Sequence, residues 1–184
     1  IPQSIDCWLP PMLRRADTLL VVVDLSDAPL AQMEAIITQL ANMRIEIIDR
    51  ETAEEQGIVS HYKKALIIGN KIDSGNTIKN FAILKKQYEK QIPIIAISAK
   101  EGTGLEELKH ELYQVLDIMR VYTKMPSQKP DFNDPIILNK GSTLEDAAAS
   151  VHKDFVAKLK YARIWGSGKH DGLMVKRDHI LQDG

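Results

Sequence analysis

Asn70, Lys71 and Asp73 form a polar group directly after a short apolar run, Ala65–Ile68. Guanine presents its N1–H and its N2 amino group as adjacent donors, and one carboxylate can accept hydrogen bonds from both. Asp73 is expected to make this contact, which adenine cannot complete because it offers no second donor there. We expect the Asn70 amide to face guanine N7 and the neighbouring loops, and the Lys71 methylenes to cover the base. These residue types therefore predict a site that reads guanine.

A second polar group, Ser98-Ala99-Lys100, follows another apolar run at Ile94–Ile97. The small Ala99 would let a backbone N–H approach guanine O6. Ser98 is expected to hydrogen-bond the Asp73 carboxylate and fix it, and Lys100 to cover the base from the other side. Each motif alone arises by chance in surface turns. Their occurrence in this order, each after an apolar run, favours a nucleotide site over two chance turns.

A parallel sheet is the element that would bring the two loops together. Short apolar runs with little polarity are typical of strands covered on both faces, and ligands bind at the carboxyl ends of such strands. The runs alternate with segments of helical periodicity, which predicts βαβ units and an α/β fold. Predicted strands cover 18–24, 44–48, 65–68 and 94–97, and predicted helices cover 29–42, 77–90 and 105–116, with a surface excursion at 49–62. Because sheets average about 5–6 strands, the N-terminal edge is expected to be unfinished.

The C-terminal part has a different pattern of predicted elements, with short strands around one helix. We therefore predict an α/β domain over 1–118 and a small α+β domain over 119–184. Predicted strands cover 120–123, 136–138 and 161–165, and loops cover 126–135 and 166–172. Between them lies one helix with Leu144, Ala148, Val151, Phe155 and Leu159 on a single stripe. Either Ser142 with Glu145 or Thr143 with Asp146 can form its N-terminal capping box. The sequence ends on a turn signal, which leaves open a last strand beyond it.

Composition places the chain among globular proteins. Of its 184 residues, 44% are hydrophobic and 27% charged, which excludes a disordered chain. The net charge is −1, with 13 minus 17 giving −4 in residues 1–119 and 11 minus 8 giving +3 in 120–184. Ordinary scatter and a weakly basic C-terminal binding domain explain this split equally well. The lone Cys7 and the absence of a signal peptide or long apolar run predict a cytosolic protein without a membrane span, and the first residue, Ile1, suggests a piece of a longer chain.

Other polar residues are weaker candidates. The five histidines show no i, i+4 pairing and no cysteine support, so no metal site is expected. Asp24 and Asp27 follow an apolar run, where capping of the next helix is favoured over lining a nucleotide cleft. A basic group can contact RNA or simply be a solvated loop. Its members are Lys169, His170, Lys176 and Arg177.

The two loops resemble the guanine-recognition motifs of the P-loop GTPases, Asn-Lys-x-Asp and Ser-Ala-Lys. The C-terminal part resembles a TGS domain, a module with a ubiquitin-like β-grasp fold. The residues that carry this second resemblance are Lys140-Gly141-Ser142-Thr143, Ala162-Arg163-Ile164-Trp165-Gly166, Lys169-His170 and Asp178-His179 through Gly184. A guanine pocket followed by a TGS domain is similar to the Obg-related, developmentally regulated GTP-binding (DRG) group.

The resemblance implies binding of GTP and GDP, GTP hydrolysis with Mg²⁺, a cytoplasmic location, and a ribosome or RNA contact through the TGS domain. The family's phosphate loop, switch threonine and Asp-x-x-Gly precede the region that matches Ile1, and none occurs in this sequence. The nearest imitation, Gly166–His170, lacks the first glycine and the Ser or Thr that would bind magnesium. We therefore expect no catalytic residue and no metal ligand in this chain. The alternative is a non-catalytic RNA- or protein-binding module with a vestigial nucleotide pocket.

Overall fold

A computed structural model of the chain describes residues 8–47, 61–125, 128–166 and 171–184. The chain forms two compact units, Ile1–Leu116 and Asp117–Gly184. Most of the predicted surface excursion and the loop residues Lys169 and His170 lie outside the described residues.

The first unit alternates helices and strands, as the apolar runs predict. Its elements are α1 (Leu9–Arg15), β1 (Thr18–Asp24), α2 (Pro29–Asn42), β2 (Ile45–Ile47), β3 (His61–Asn70), α3 (Thr77–Tyr88), β4 (Ile94–Ala96) and α4 (Leu105–Leu116). The prediction that the strand before the Asn70 loop begins at Ala65 is wrong, because β3 starts at His61. Lys63 and Lys64 continue the strand although both are charged, and the Lys63 ammonium donates to the Ala16 carbonyl at 2.7 Å.

Strand β3 is the centre of a four-stranded sheet, and every pairing within it is parallel. It pairs with β1 from Thr18↔Lys64 to Asp24↔Asn70, and with β4 from Ile67↔Ile94 to Gly69↔Ala96. Its first three residues pair with β2. In this register the carboxyl ends of β1, β3 and β4 lie side by side, which is the edge where open α/β sheets bind ligands.

The core differs on the two sides of the sheet. Residues 65–69 of β3 are all buried, as expected for a strand covered on both faces. The same expectation is wrong for β1, where Leu19, Val21 and Val23 are buried but Leu20 and Val22 are 44% and 54% exposed. Helix α4 packs with Leu66, Ile68 and Ile97 on the second face. Within the described residues, its cover stops short of β1.

The second unit contains two antiparallel strand pairs and two short helices. Its elements are β5 (Ile118–Val121), β6 (Ile136–Asn139), α5 (Leu144–Val151), α6 (Lys153–Lys158), β7 (Ala162–Ile164) and β8 (Leu173–Val175). Strand β5 pairs with β6 and β7 with β8, and a core forms around Met119, Ala147 and Leu181. The last residues run beside β5, where the Gly184 N–H donates to the Arg120 carbonyl at 2.9 Å.

Two sequence expectations for this unit are corrected, and one strand was not predicted. Strand β5 starts at Ile118 rather than residue 120, because Asp117 takes a positive φ of 55° and turns the chain directly out of α4. The single predicted helix breaks at His152, whose backbone is extended. The loop expected at 166–172 is followed by β8, a strand too short to show a clear period.

The capping box that forms is the one between Thr143 and Asp146. The Thr143 N–H donates to the Asp146 carboxylate at 2.7 Å, and the Asp146 N–H donates to the Thr143 hydroxyl at 3.3 Å. These contacts lower the pKa of Asp146, first through the Thr143 backbone and then through its hydroxyl. A carboxyl with a depressed pKa stabilises the fold above its unfolded-state value of 3.8 and loses that contribution as the pH falls through the folded value.

Thr143→Ala is expected to destabilise the start of α5 by about 1 kcal/mol, because the first turn loses its side-chain acceptor. Amide hydrogen exchange of residues 145–147 in the full chain should accelerate about fivefold. Ser142→Ala is the matched control and should leave these rates unchanged. Equal acceleration of exchange in both variants would contradict the assignment of Thr143 as the N-cap.

Candidate guanine-binding site

The Asn70 side chain joins the two predicted loops at the carboxyl edge of the sheet. Its Oδ1 accepts the Lys71 N–H at 2.8 Å and the Ala99 N–H at 3.0 Å. The backbone adds a second connection, since the Ile72 N–H donates to the Ile97 carbonyl at 3.1 Å. The residues that sequence reasoning placed in one pocket are therefore brought together, and Asn70 is the link between them.

One feature of this link differs from the expected pocket. The Ala99 N–H, which we expect to approach guanine O6, donates to Asn70 in this structure. Ala99 and Lys100 are both exposed. An O6 atom arriving here would have to share this N–H with Asn70 or replace the Asn70 oxygen.

Asp73 and Ser98 form the acidic part of the site. The hydrogen bond from the Ser98 hydroxyl is the largest cause of a lowered Asp73 pKa, and the positive charges of Lys100 and Lys71 lower it further. Ser98 itself is completely buried, and its Oγ accepts the Glu101 N–H at 3.1 Å. The Asp73 side chain is exposed, so an ionised carboxylate is held in place and open to a ligand.

Lys71 lies in a conformation that non-glycine residues seldom adopt, with φ at 69°. Its ammonium forms an ion pair with Asp24 of β1, with Nζ and Oδ2 2.5 Å apart. This contact raises the pKa of Lys71 and is the largest cause that lowers the pKa of Asp24 to about 2. The charged end of Lys71 is thereby fixed on the neighbouring strand, and its methylene stem spans the distance between the two.

Asp24 is held in turn by its own surroundings. Its Oδ1 accepts the Ser26 N–H at 2.8 Å and the Ser26 hydroxyl at 2.6 Å. The Gln32 side chain accepts the Asp24 N–H at 2.9 Å and donates to the Asp24 carbonyl at 3.1 Å. Sequence reasoning favoured capping of α2 for Asp24 and Asp27. That is wrong, because Ala28 is the N-cap of α2 and no side chain caps it. The Asp24–Lys71 pair was missed because no local pattern signals a contact between residues on neighbouring strands.

Two glycines let the chain approach closely behind the site. A Cβ on Gly69 would lie 2.8 Å from the Leu25 side chain, which packs over the end of β3. Gly104 has φ at 77°, and a Cβ there would lie 2.5 Å from the Ala96 carbonyl oxygen. Below the first loop, the buried Thr77 hydroxyl donates to the Ile72 carbonyl at 2.9 Å. The loops therefore have rigid support.

The described residues contain no group of three or more His, Cys, Asp or Glu side chains placed to hold a metal ion. In the part of the chain that the structure describes, no helix is long and apolar enough to cross a membrane.

Comparisons with known proteins define the class. Residues 119–184 match the TGS domain family. A solved structure, the GTP binding protein from Pyrococcus horikoshii OT3, shares the fold with a TM-score of 0.64 over 93% of this chain and 77% of that chain, at 15% sequence identity. The chain is thus an α/β unit with a parallel sheet and helices, followed by a TGS domain.

Curated relatives narrow this class to a family. An uncharacterized GTP-binding protein of Methanocaldococcus jannaschii is 33% identical over 159 residues, which cover 83% of this chain and 41% of the relative. A developmentally-regulated GTP-binding protein 2 homolog of Dictyostelium discoideum is 35% identical over 123 residues, covering 66% of this chain and 32% of the relative. The chain belongs to the DRG family as a partial GTPase region with its TGS domain, and it spans less than half the length of these relatives.

Asp24→Asn is expected to lower the pKa of the Lys71 ammonium, because the variant removes the negative charge that holds it. NMR titration of the Lys71 side chain in the full chain measures this. Asp27→Asn is the control, since Asp27 contributes least among the carboxylates that raise the Lys71 pKa. A Lys71 pKa that falls equally in both variants would contradict the assigned pair.

Proposed function

We propose that the first unit binds the guanine base of GTP and GDP through Asn70, Lys71, Asp73, Ser98, Ala99 and Lys100. The observation that supports this most is the ionised Asp73 carboxylate, held by a buried serine and open on its other side. Two adjacent carboxylate oxygens match the N1–H and N2 donors of guanine. The names of the relatives, which describe GTP-binding proteins, agree with this proposal.

The other residues act by position. Asn70 holds the Ser98 loop beside the Asp73 loop. The ion pair with Asp24 keeps the Lys71 methylenes extended along one side of the proposed base site. A base lying against these methylenes gains apolar contact while the Lys71 ammonium stays paired with Asp24. Lys100 is the proposed cover on the opposite side. In this arrangement Asp73 gives the base specificity, and the two lysines contribute affinity.

GTP hydrolysis is proposed for the whole protein and not for these residues. The sequence contains no phosphate loop, and Mg²⁺ in such sites is usually bound through one or two carboxylates together with the substrate phosphates. Phosphate binding, magnesium and the attacking water would then be handled by residues outside this chain. Hydrolysis of GTP by the full-length protein, measured with and without Mg²⁺, tests this part.

The TGS domain is proposed to link the protein to RNA or to the ribosome in the cytoplasm. Its formal charge of +3, from 11 basic and 8 acidic residues in 120–184, supports an anionic partner. The alternative, a binding module with a vestigial nucleotide pocket, would leave this role intact while the guanine site bound nothing.

Asp73→Asn is expected to invert base preference in the full chain. An asparagine keeps one acceptor for guanine N1–H but presents an N–H₂ donor to the N2 amino group, whereas xanthine carries an acceptor there. Guanosine should therefore bind roughly tenfold or more weakly, the cost of a lost charged hydrogen bond, and xanthosine should bind better. NMR chemical-shift titration of residues 70–73 and 98–100 measures both affinities.

Asp17→Asn is the matched control, because Asp17 precedes the amino end of β1 and lies away from the carboxyl edge. It should leave guanosine binding unchanged. Equal binding of guanosine and adenosine by the unsubstituted chain, or a guanosine preference that survives Asp73→Asn, would refute the assigned site.

A further inference from the structure

The second unit carries an exposed surface on which aromatic and basic side chains alternate. Side chains point to opposite faces at successive positions of a strand. Ala162 and Ile164 of β7 are partly buried, and Ile164 packs against the core of the unit. Arg163 between them therefore lies on the outer face, and the flanking Tyr161 and Trp165 are exposed as Arg163 is.

The paired strand extends the same surface. Met174 lies opposite Arg163 in the β7–β8 register and is 54% exposed, whereas its neighbour Val175 is buried. Lys176 follows at the next outward position and is exposed. We call this surface the stacking face; its members are Lys124, Tyr161, Arg163, Trp165, Met174 and Lys176.

Trp165 is the centre of the stacking face. The Lys124 ammonium lies over the indole, 4.2 Å from the ring centroid. Gly172 lies beside the same ring, where a Cβ would be in ordinary van der Waals contact at 3.5 Å from the indole nitrogen. The indole is nevertheless 45% exposed, and Tyr161 is 59% exposed. Two large rings thus stay open to solvent on a surface where a cation already binds one of them.

The charge of the stacking face has one sign. Within the described ranges of the second unit, no ion pair joins Lys124, Arg163 or Lys176 to a carboxylate. Two carboxylates lie beside the stacking face: Asp178 lines a shallow pocket together with Met174 and Lys176, and Asp171 accepts the Gly166 N–H at 3.3 Å. Tyr, Trp, Met and Arg are common in protein–protein interfaces, but Lys is depleted there, so Lys124 and Lys176 argue against a protein partner. Exposed rings among unpaired cations are instead typical of surfaces that bind single-stranded nucleic acid.

We propose that the stacking face binds an unpaired segment of RNA. Bases stack on Trp165 and Tyr161, and Lys124, Arg163 and Lys176 contact the phosphates. Lys124 leaves the indole when a base takes its place. The proposal rests on the RNA link proposed above and specifies its location and chemistry: an unpaired strand, bound by stacking and charge without reading the sequence.

The test uses the full chain and a fluorescein-labelled single-stranded RNA of about 12 nucleotides, a length suited to a small single-strand-binding surface. Fluorescence anisotropy gives the affinity for this RNA and for the same sequence as a duplex. The chain has two tryptophans, so a Trp8→Phe background leaves Trp165 as the only one and reports stacking through its quenching.

Trp165→Ala should weaken single-strand binding roughly five- to a hundredfold, and Trp165→Phe should restore most of it because a ring is retained. Lys176→Ala should reduce the slope of log affinity against log salt by about 0.7, the value for one phosphate contact on a single strand. Phe155→Ala is the matched control, since Phe155 is 59% exposed on α6 and lies outside the stacking face. It should bind RNA as the unsubstituted chain does.

Four outcomes would overturn the proposal. Equal binding of duplex and single strand would exclude stacking, and equal loss in Trp165→Ala and Phe155→Ala would exclude this face. An RNA affinity that is unchanged in Trp165→Ala would show that RNA binds elsewhere on the protein, and it would leave the proposed RNA link intact. No RNA binding, with Trp165→Ala instead abolishing contact with a ribosomal protein, would refute RNA binding by this face and leave only the ribosome link of the proposed function. None of these outcomes bears on guanosine binding by the first unit, which is tested separately.

Discussion

The candidate site depends on one oxygen atom. Asn70 Oδ1 accepts two backbone N–H groups from different loops, and it is the atom to which the other two connections between the loops, Ile72 N–H to the Ile97 carbonyl and Ser98 to Asp73, are added. The parallel pairing of β3 with β4 makes the two hydrogen bonds of Asn70 possible, because the Gly69↔Ala96 register places the carboxyl ends of both strands side by side. An aspartate at this position would place a negative charge beside Asp73, whereas the amide joins the loops without adding charge.

The charges at this edge are ordered around that link. Asp73 is kept ionised by Ser98 and by two nearby lysines, and one of those lysines, Lys71, is itself fixed by Asp24. The positive φ of Lys71 costs roughly 1 kcal/mol, which the surrounding contacts must offset. Such strain persists where several interactions determine the same conformation. Here they are the Asn70 bond to the Lys71 N–H, the Lys71–Ser74 turn and the Asp24 ion pair.

Local patterns predicted the elements that local physics controls. Helices α2 and α4 begin and end where periodicity placed them, and the order of apolar runs predicted the parallel sheet. The errors lie where a distant contact decides. Leu20 and Val22 read as buried because hydrophobicity alone does not show how far α4 reaches. His152 broke a continuous stripe because its imidazole accepts the Asp154 N–H at 3.2 Å and starts a new helix. Within the site, residue types predicted the acceptor Asp73 but not Asp24, whose role arises only from pairing of β1 with β3.

The two surfaces use opposite parts of a nucleobase. The Asp73 carboxylate can address the hydrogen-bonding edge of guanine, where a wrong base leaves a charged group unpaired, so selectivity is high. The stacking face addresses the flat surface that every base shares, so binding there discriminates little among sequences. If both proposals hold, the first unit selects its nucleotide by chemistry, whereas the second selects RNA only by whether it is unpaired. Choice of one RNA among many would then require additional contacts beyond the stacking face, because Trp165 and Tyr161 offer no donor or acceptor pattern that distinguishes one base from another.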